Sequence, residues 1–96
     1  MSLADDAGAV RRIVTIVNRR GLHARAAAKF VKLAATFDSE VSVARNGTAV
    51  SGRSIMGLMM LAAGPGTELR IAAKGPDAEA AVAGLARLVA GGFDEE

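Results

Sequence analysis

The sequence predicts an α+β open-faced β-sandwich: a four-stranded, mostly antiparallel sheet with three helices on one face. Three observations predict it. Short β-branched runs alternate with amphipathic helical segments in the order strand, helix, strand, strand, helix, strand, helix. Asn46-Gly47 separates two of the strand-like runs and reads as a two-residue hairpin turn, because both turn residues must reach positive φ. The 96 residues are enough for one domain with a single modest core.

Taken in order, residues 1–9 show no periodicity and are expected to form a flexible N-terminal tail ahead of a domain over 10–92. Arg12 to Asn18 is mostly β-branched, with Val14 and Ile16 on one face and Ile13, Thr15 and Val17 on the other, as a strand requires. Arg19-Arg20-Gly21 turns the chain. From Ala24 to Ala35 the period becomes helical, and Ala27, Phe30, Val31 and Ala34 form the buried stripe opposite Arg25, Lys29 and Lys32. Val41 and Val43 alternate with Glu40 and Ser42, and Thr48 to Ser51 returns after the hairpin. Ser54 is a natural N-cap for a short apolar helix that Gly64-Pro65-Gly66 closes off. Leu69 and Ile71 mark the fourth strand. Asp77 is the expected N-cap of the last helix, whose buried stripe is Val82, Leu85, Leu88 and Val89. Gly91-Gly92 ends it, and 93–96 is expected to be an acidic tail.

Composition narrows the function. The chain has no Cys and one His, so a thiolate metal site or a disulfide framework is excluded, and no metal or other cofactor is expected. No run is apolar and long enough to cross a membrane, no export signal is evident, and the expected location is the cytoplasm. Net charge is +2, but residues 1–45 carry eight basic side chains against four acidic ones, while 46–96 lean acidic. The basic excess therefore gathers around His23, where it suits a phosphate or an acidic partner. A small basic nucleic-acid binder is a weak alternative, because Phe30, Phe37 and Phe93 are the only aromatics available for stacking. No Walker or dinucleotide glycine pattern is present.

His23 stands at a predicted helix start, where unpaired backbone N–H groups and the helix dipole favour an anion. Imidazole is a competent nucleophile near neutral pH. Ala24 and Ala26 to Ala28 are small enough to leave the first turn open, and Arg25 can bring a forked donor over the ring. The bland alternative is a surface histidine that merely caps the helix. Ser54 has the same ambiguity between a plain N-cap and a phosphorylation site. Ile55, Met56, Met59 and Met60 cannot all face inward from a short helix, and Ile55 and Met56 are expected to stay partly exposed as an adaptable docking patch.

The run Gly21-Leu22-His23-Ala24-Arg25-Ala26-Ala27 resembles the active-site signature of HPr, the histidine-containing phosphocarrier family of the bacterial phosphoenolpyruvate-dependent phosphotransferase system. Gly52-Arg53-Ser54-Ile55-Met56-Gly57-Leu58-Met59-Met60-Leu61 resembles that family's regulatory serine segment. The resemblance runs from about Arg12 to Ala90. It implies a stoichiometric carrier rather than an enzyme: His23 accepts a phosphoryl group from phosphorylated Enzyme I and hands it to an EIIA protein or domain. It implies that Arg25 steadies the phosphoryl group and that Ser54 is the target of an HPr kinase/phosphorylase where one exists. It further implies that Ala24, Arg25, Ile55 and Met56 meet partners. No nucleic acid or membrane insertion is expected, and a monomer is the default. The family usually carries Pro after the arginine, whereas this chain has Ala26, which suits a helix and restores an N–H near the phosphate. Sugar uptake and the nitrogen-related regulatory branch both remain open.

Overall fold

A computed structural model describes residues 8–95. The elements are β1 (Val10–Thr15), α1 (Ala24–Ala34), β2 (Glu40–Arg45), β3 (Thr48–Ser51), α2 (Ile55–Met60), β4 (Glu68–Lys74) and α3 (Ala78–Ala90), followed by a 3₁₀ turn at Gly92–Asp94. The strands form one sheet in the order β1-β4-β2-β3, with every pair antiparallel. This is the expected open-faced arrangement.

Alternation decides which face is covered. Val14, Val41, Val43, Leu69, Ile71 and Ala73 point into the core, under the helices, whereas Ile13 remains 58% exposed on the open face. Regular β1 pairing begins at Val10 and ends at Thr15, so it starts two residues before the expected strand and stops three short of Asn18. Beyond it, Ile16 still exchanges bonds with the turn before β4: its N–H donates to Thr67 O at 2.9 Å and its carbonyl accepts from Gly66 N at 2.8 Å. The Asn46-Gly47 turn has φ of 50° and 84°, as a primed hairpin turn requires.

Helix α1 lies between α2 and α3, and α3 packs on β1 and β4. Ala26, Ala27, Phe30 and Ala34 of α1 are buried, with Val31 half-buried at the edge of the stripe. Thus Ala26 and Ala27 line the core rather than merely opening the first turn. In α3, Val82, Leu85 and Val89 are buried and Leu88 is half-buried. Asp77 occupies the N-cap position of α3 but makes no side-chain cap bond; its Oδ2 instead accepts from the Asp38 backbone N–H at 2.7 Å. The carboxylate ties the chain entering β2 to the start of α3, a tertiary use that displaces local capping.

The expected tail over 1–9 lies mostly outside the described residues. At the other end, the expected boundary after Gly92 cuts through the core. Phe93 is fully buried and belongs to the hydrophobic cluster. Gly92 (φ +67°) turns the chain back, and Phe93 itself adopts φ 57°, a left-handed conformation that costs a non-glycine residue energy and is offset by burying the ring. Asp94 and Glu95 are thereby carried back over the start of α1 instead of trailing as an acidic tail.

Candidate functional site

The site is built on the short link between β1 and α1. Gly21 has φ +65° and approaches the chain leaving α2 so closely that an added Cβ would lie 2.3 Å from Ala63 O and 2.9 Å from Gly64 Cα. Only glycine fits there. Leu22 is buried, and its N–H donates to Ala63 O at 2.9 Å. His23 follows as the N-cap residue of α1, in extended conformation (φ −76°, ψ 178°). The first bond of the helix runs from Ala27 N–H to His23 O at 2.8 Å, so the N–H groups of Ala24, Arg25 and Ala26 have no partner within the helix.

The His23 ring does not cap the helix. Its Nε2 is instead hydrogen-bonded to Oε2 of Glu95, with both side chains largely covered. The second carboxylate oxygen, Oε1, accepts from Asn18 Nδ2 at 3.0 Å, and the same Asn18 amide donates to Gly21 O at 2.9 Å. Lys29 Nζ donates to Phe93 O at 2.7 Å and clamps the returning segment to α1. Arg19, Arg20, Arg25 and Lys29 line an open cleft here together with Asp94 and Glu95. Arg25 is exposed on the wall of this cleft, while the partner bonded to the ring is Glu95.

The Glu95 carboxyl is held below its ordinary value of 4.5, chiefly by the hydrogen bond to His23 and then by Asn18. Coulombic attraction from Arg20, and from His23 whenever its ring is protonated, acts in the same direction, against the opposing effect of partial burial. A group depressed in the folded state stabilises above its unfolded value and loses that contribution as pH falls through the folded one. The Glu95 contacts to His23 and Asn18 are therefore expected to hold above pH about 4.5 and to be lost as pH falls below it, while Phe93 stays buried. An acid titration following the Asn18 side-chain amide by NMR checks this; an amide resonance that stays fixed down to global unfolding contradicts it.

The second candidate region is α2. Ser54 caps it, its Oγ accepting from Gly57 N–H at 2.9 Å, a bond worth about 1 kcal/mol at such positions. Leu58 is the helix's buried residue. Ile55 is 39% exposed and Met56 74%, and Met59 and Met60 are also exposed, which makes the apolar patch broader than the first turn alone. At its other end, Arg45 Nη1 donates to Leu61 O (2.7 Å) and Ala62 O (3.1 Å). The Gly21–Ala63 contact joins the His23 link to the chain leaving this helix.

The family described as the PTS HPr component phosphorylation site matches residues 10–91. The chain belongs to the HPr family. A phosphocarrier protein HPr of Cupriavidus necator is 48% identical over 86 residues, covering 90% of this chain and 97% of its own length. A phosphocarrier protein NPr of Shewanella violacea is 43% identical over 86 residues, covering 90% and 94%. Among solved structures, HPr-C-His from Thermoanaerobacter tengcongensis superimposes with a TM-score of 0.86 at 38% identity, covering 91% of this chain and 98% of that one. As an HPr-family member the chain is a phosphocarrier of the phosphotransferase system and not a catalytic enzyme. Within this HPr fold, sequence reasoning singled out His23, Arg25, Ser54, Ile55 and Met56 but missed Asn18 and Glu95. The signal for Glu95 was Phe93, a large apolar residue stranded between a glycine pair and an acidic run.

Proposed function

We propose that His23 accepts a phosphoryl group from phosphorylated Enzyme I and passes it to an EIIA protein or domain. The observation that carries this reading is the placement of the chain's only imidazole at the N-cap of α1, beside unpaired N–H groups and a cleft walled by Arg19, Arg20, Arg25 and Lys29. An incoming dianionic phosphoryl group meets backbone donors, the helix dipole and a guanidinium. Each is worth about 0.5–2 kcal/mol in a partly exposed site, enough to hold the group and too little to trap it. Arg25 is the nearest forked donor in sequence and steadies the phosphoryl oxygens. Ala24, Arg25, Ile55 and Met56 form the surface offered to both partners, with the exposed methionines adapting to each.

Incubation with Enzyme I and phosphoenolpyruvate, followed by mass mapping under alkaline conditions, is expected to place one acid-labile phosphate on the peptide containing His23. Phosphate on any other peptide contradicts the reading. Ser54 is proposed as a regulatory site for an HPr kinase/phosphorylase: a phosphate there adds about −1.5 to −2 charge beside Ile55 and Met56, at a helix start that tolerates it. ATP and the kinase, followed by the same mapping, decide this.

The nitrogen-related branch is the second reading, favoured by the likeness to the Shewanella NPr. Competition between a sugar-type and a nitrogen-type EIIA for the phosphorylated chain separates the two.

A further inference from the structure

We propose that Glu95 is a positioning residue for phosphoryl transfer: it fixes the His23 ring in the tautomer that leaves Nδ1 free to attack, and it balances the charge the ring then gains. This rests on the reading of His23 as the acceptor. An ionised carboxylate can only accept hydrogen bonds, so the hydrogen between Glu95 Oε2 and His23 Nε2 belongs to the ring. In the neutral imidazole Nδ1 then carries the lone pair.

The carboxylate is itself held on both oxygens. Oε1 takes a hydrogen bond from Asn18, whose buried amide is pinned to Gly21 O. The backbone that delivers Glu95 is anchored by the buried Phe93 ring and by the Lys29 bond to Phe93 O. These four contacts together hold the carboxylate that orients the His23 ring. The other charged groups facing this cleft are Arg19 and Arg20 from the turn, Arg25 and Lys29 from α1, and Asp94 from the returning segment.

In the transfer step the Nδ1 lone pair forms a bond to phosphorus while the donor's bond to phosphorus breaks, its electron pair leaving with the donor. The His23 ring keeps its Nε2 proton and becomes cationic, and that proton stays hydrogen-bonded to Glu95. On delivery to the next acceptor the bond to Nδ1 breaks, its pair returns to the ring, and the neutral tautomer is restored. A carboxylate fixed opposite the reacting nitrogen stabilises the cationic ring in both directions without taking the proton.

The test uses the full chain, Glu95→Ala and Glu95→Gln, with ¹⁵N-labelled histidine. Ring ¹⁵N shifts read the tautomer; rapid-quench kinetics read phosphoryl uptake from phosphorylated Enzyme I. The unsubstituted chain should be mainly Nε2–H. Glu95→Ala should raise the Nδ1–H population severalfold and slow uptake about five- to tenfold, well below the loss of roughly 10⁴ known for a buried triad, because this cleft is open to water. Glu95→Gln keeps an accepting oxygen but no charge, so it should hold the tautomer and fall between the two in rate. Ring shifts in Glu95→Ala identical to those of the unsubstituted chain overturn the proposal, as does an unchanged or faster uptake. Absence of uptake by the unsubstituted chain overturns the reading of His23 itself, an outcome distinct from the other two.

Discussion

His23→Ala is expected to take up no phosphoryl group from phosphorylated Enzyme I, while melting within a few degrees of the unsubstituted protein. The chain holds one histidine and no cysteine, so no second side chain of comparable nucleophilicity can substitute. The fold should survive because the ring does not cap α1 and sits at the edge of the core rather than within it. Its removal frees Glu95 to meet water and leaves the Ala27-to-His23 backbone bond in place. A cost of about 0.5 kcal/mol is the norm for a side chain outside the core, which moves Tm by about 2–4 °C in a domain of this size. Uptake measured with radiolabelled phosphoenolpyruvate, alongside a circular-dichroism melt, checks both halves. Retained uptake would remove His23 from the mechanism; lost uptake accompanied by unfolding would show that the ring is structural.

Phe93→Ala should have the largest effect on stability. Phe93 is fully buried with Phe30, Leu85 and Val89 in the same cluster. Truncating a buried Phe costs about 3–5 kcal/mol, from lost transfer energy and the cavity left behind. That is a large share of the 5–15 kcal/mol that holds a typical domain together, and at about 4–8 °C per kcal/mol it lowers Tm by at least about 12 °C. Phe93→Leu, which keeps most of the apolar volume, should recover much of the loss. A Tm within about 4 °C of the unsubstituted protein would show that the segment after α3 contributes little to the core. Because the same ring anchors Glu95, Phe93→Ala should also loosen the His23–Glu95 contact, visible as greater solvent exchange of the Asn18 side-chain amide.

Sequence legibility followed the range of the interactions. Asn46-Gly47 announced its hairpin because the required backbone geometry is a property of two adjacent residues. Ser54 announced its cap because the hydrogen bond it accepts comes from three residues away. The stripe Ala27, Phe30 and Ala34 followed from helical period alone. Asp77 misled for the converse reason: its residue type fits an N-cap, but a backbone N–H 39 residues away in sequence competed for the carboxylate. The role of Glu95 was hidden on the same ground, since its bonds to Asn18 and to His23 span 77 and 72 residues. Composition alone reads a terminal acidic run as solvated; the one sign against that reading is the large apolar Phe93 just ahead of it, which pulls the run inward. His23 and Arg25 were legible as chemistry, and the cleft that Arg25 lines with the returning segment, whose Glu95 bonds the His23 ring, became visible only once α3 was laid across the sheet.

The two borders of the sheet bear on how such a carrier can be used. An open antiparallel sheet leaves one side of each outer strand without a partner, and such borders invite strand-to-strand association between molecules. Here β3 is four residues long, and β1 carries the exposed Arg11 and Arg12 side by side. A short border and a doubly charged one both discourage stacking of copies. That matters more for a carrier than for a catalyst. A carrier that holds one phosphoryl group at a time has a throughput that rises with the number of copies as well as with the rate at which each is loaded and emptied. Borders that discourage strand-to-strand stacking let many copies of such a carrier share one solution, which suits a relay whose capacity grows with copy number.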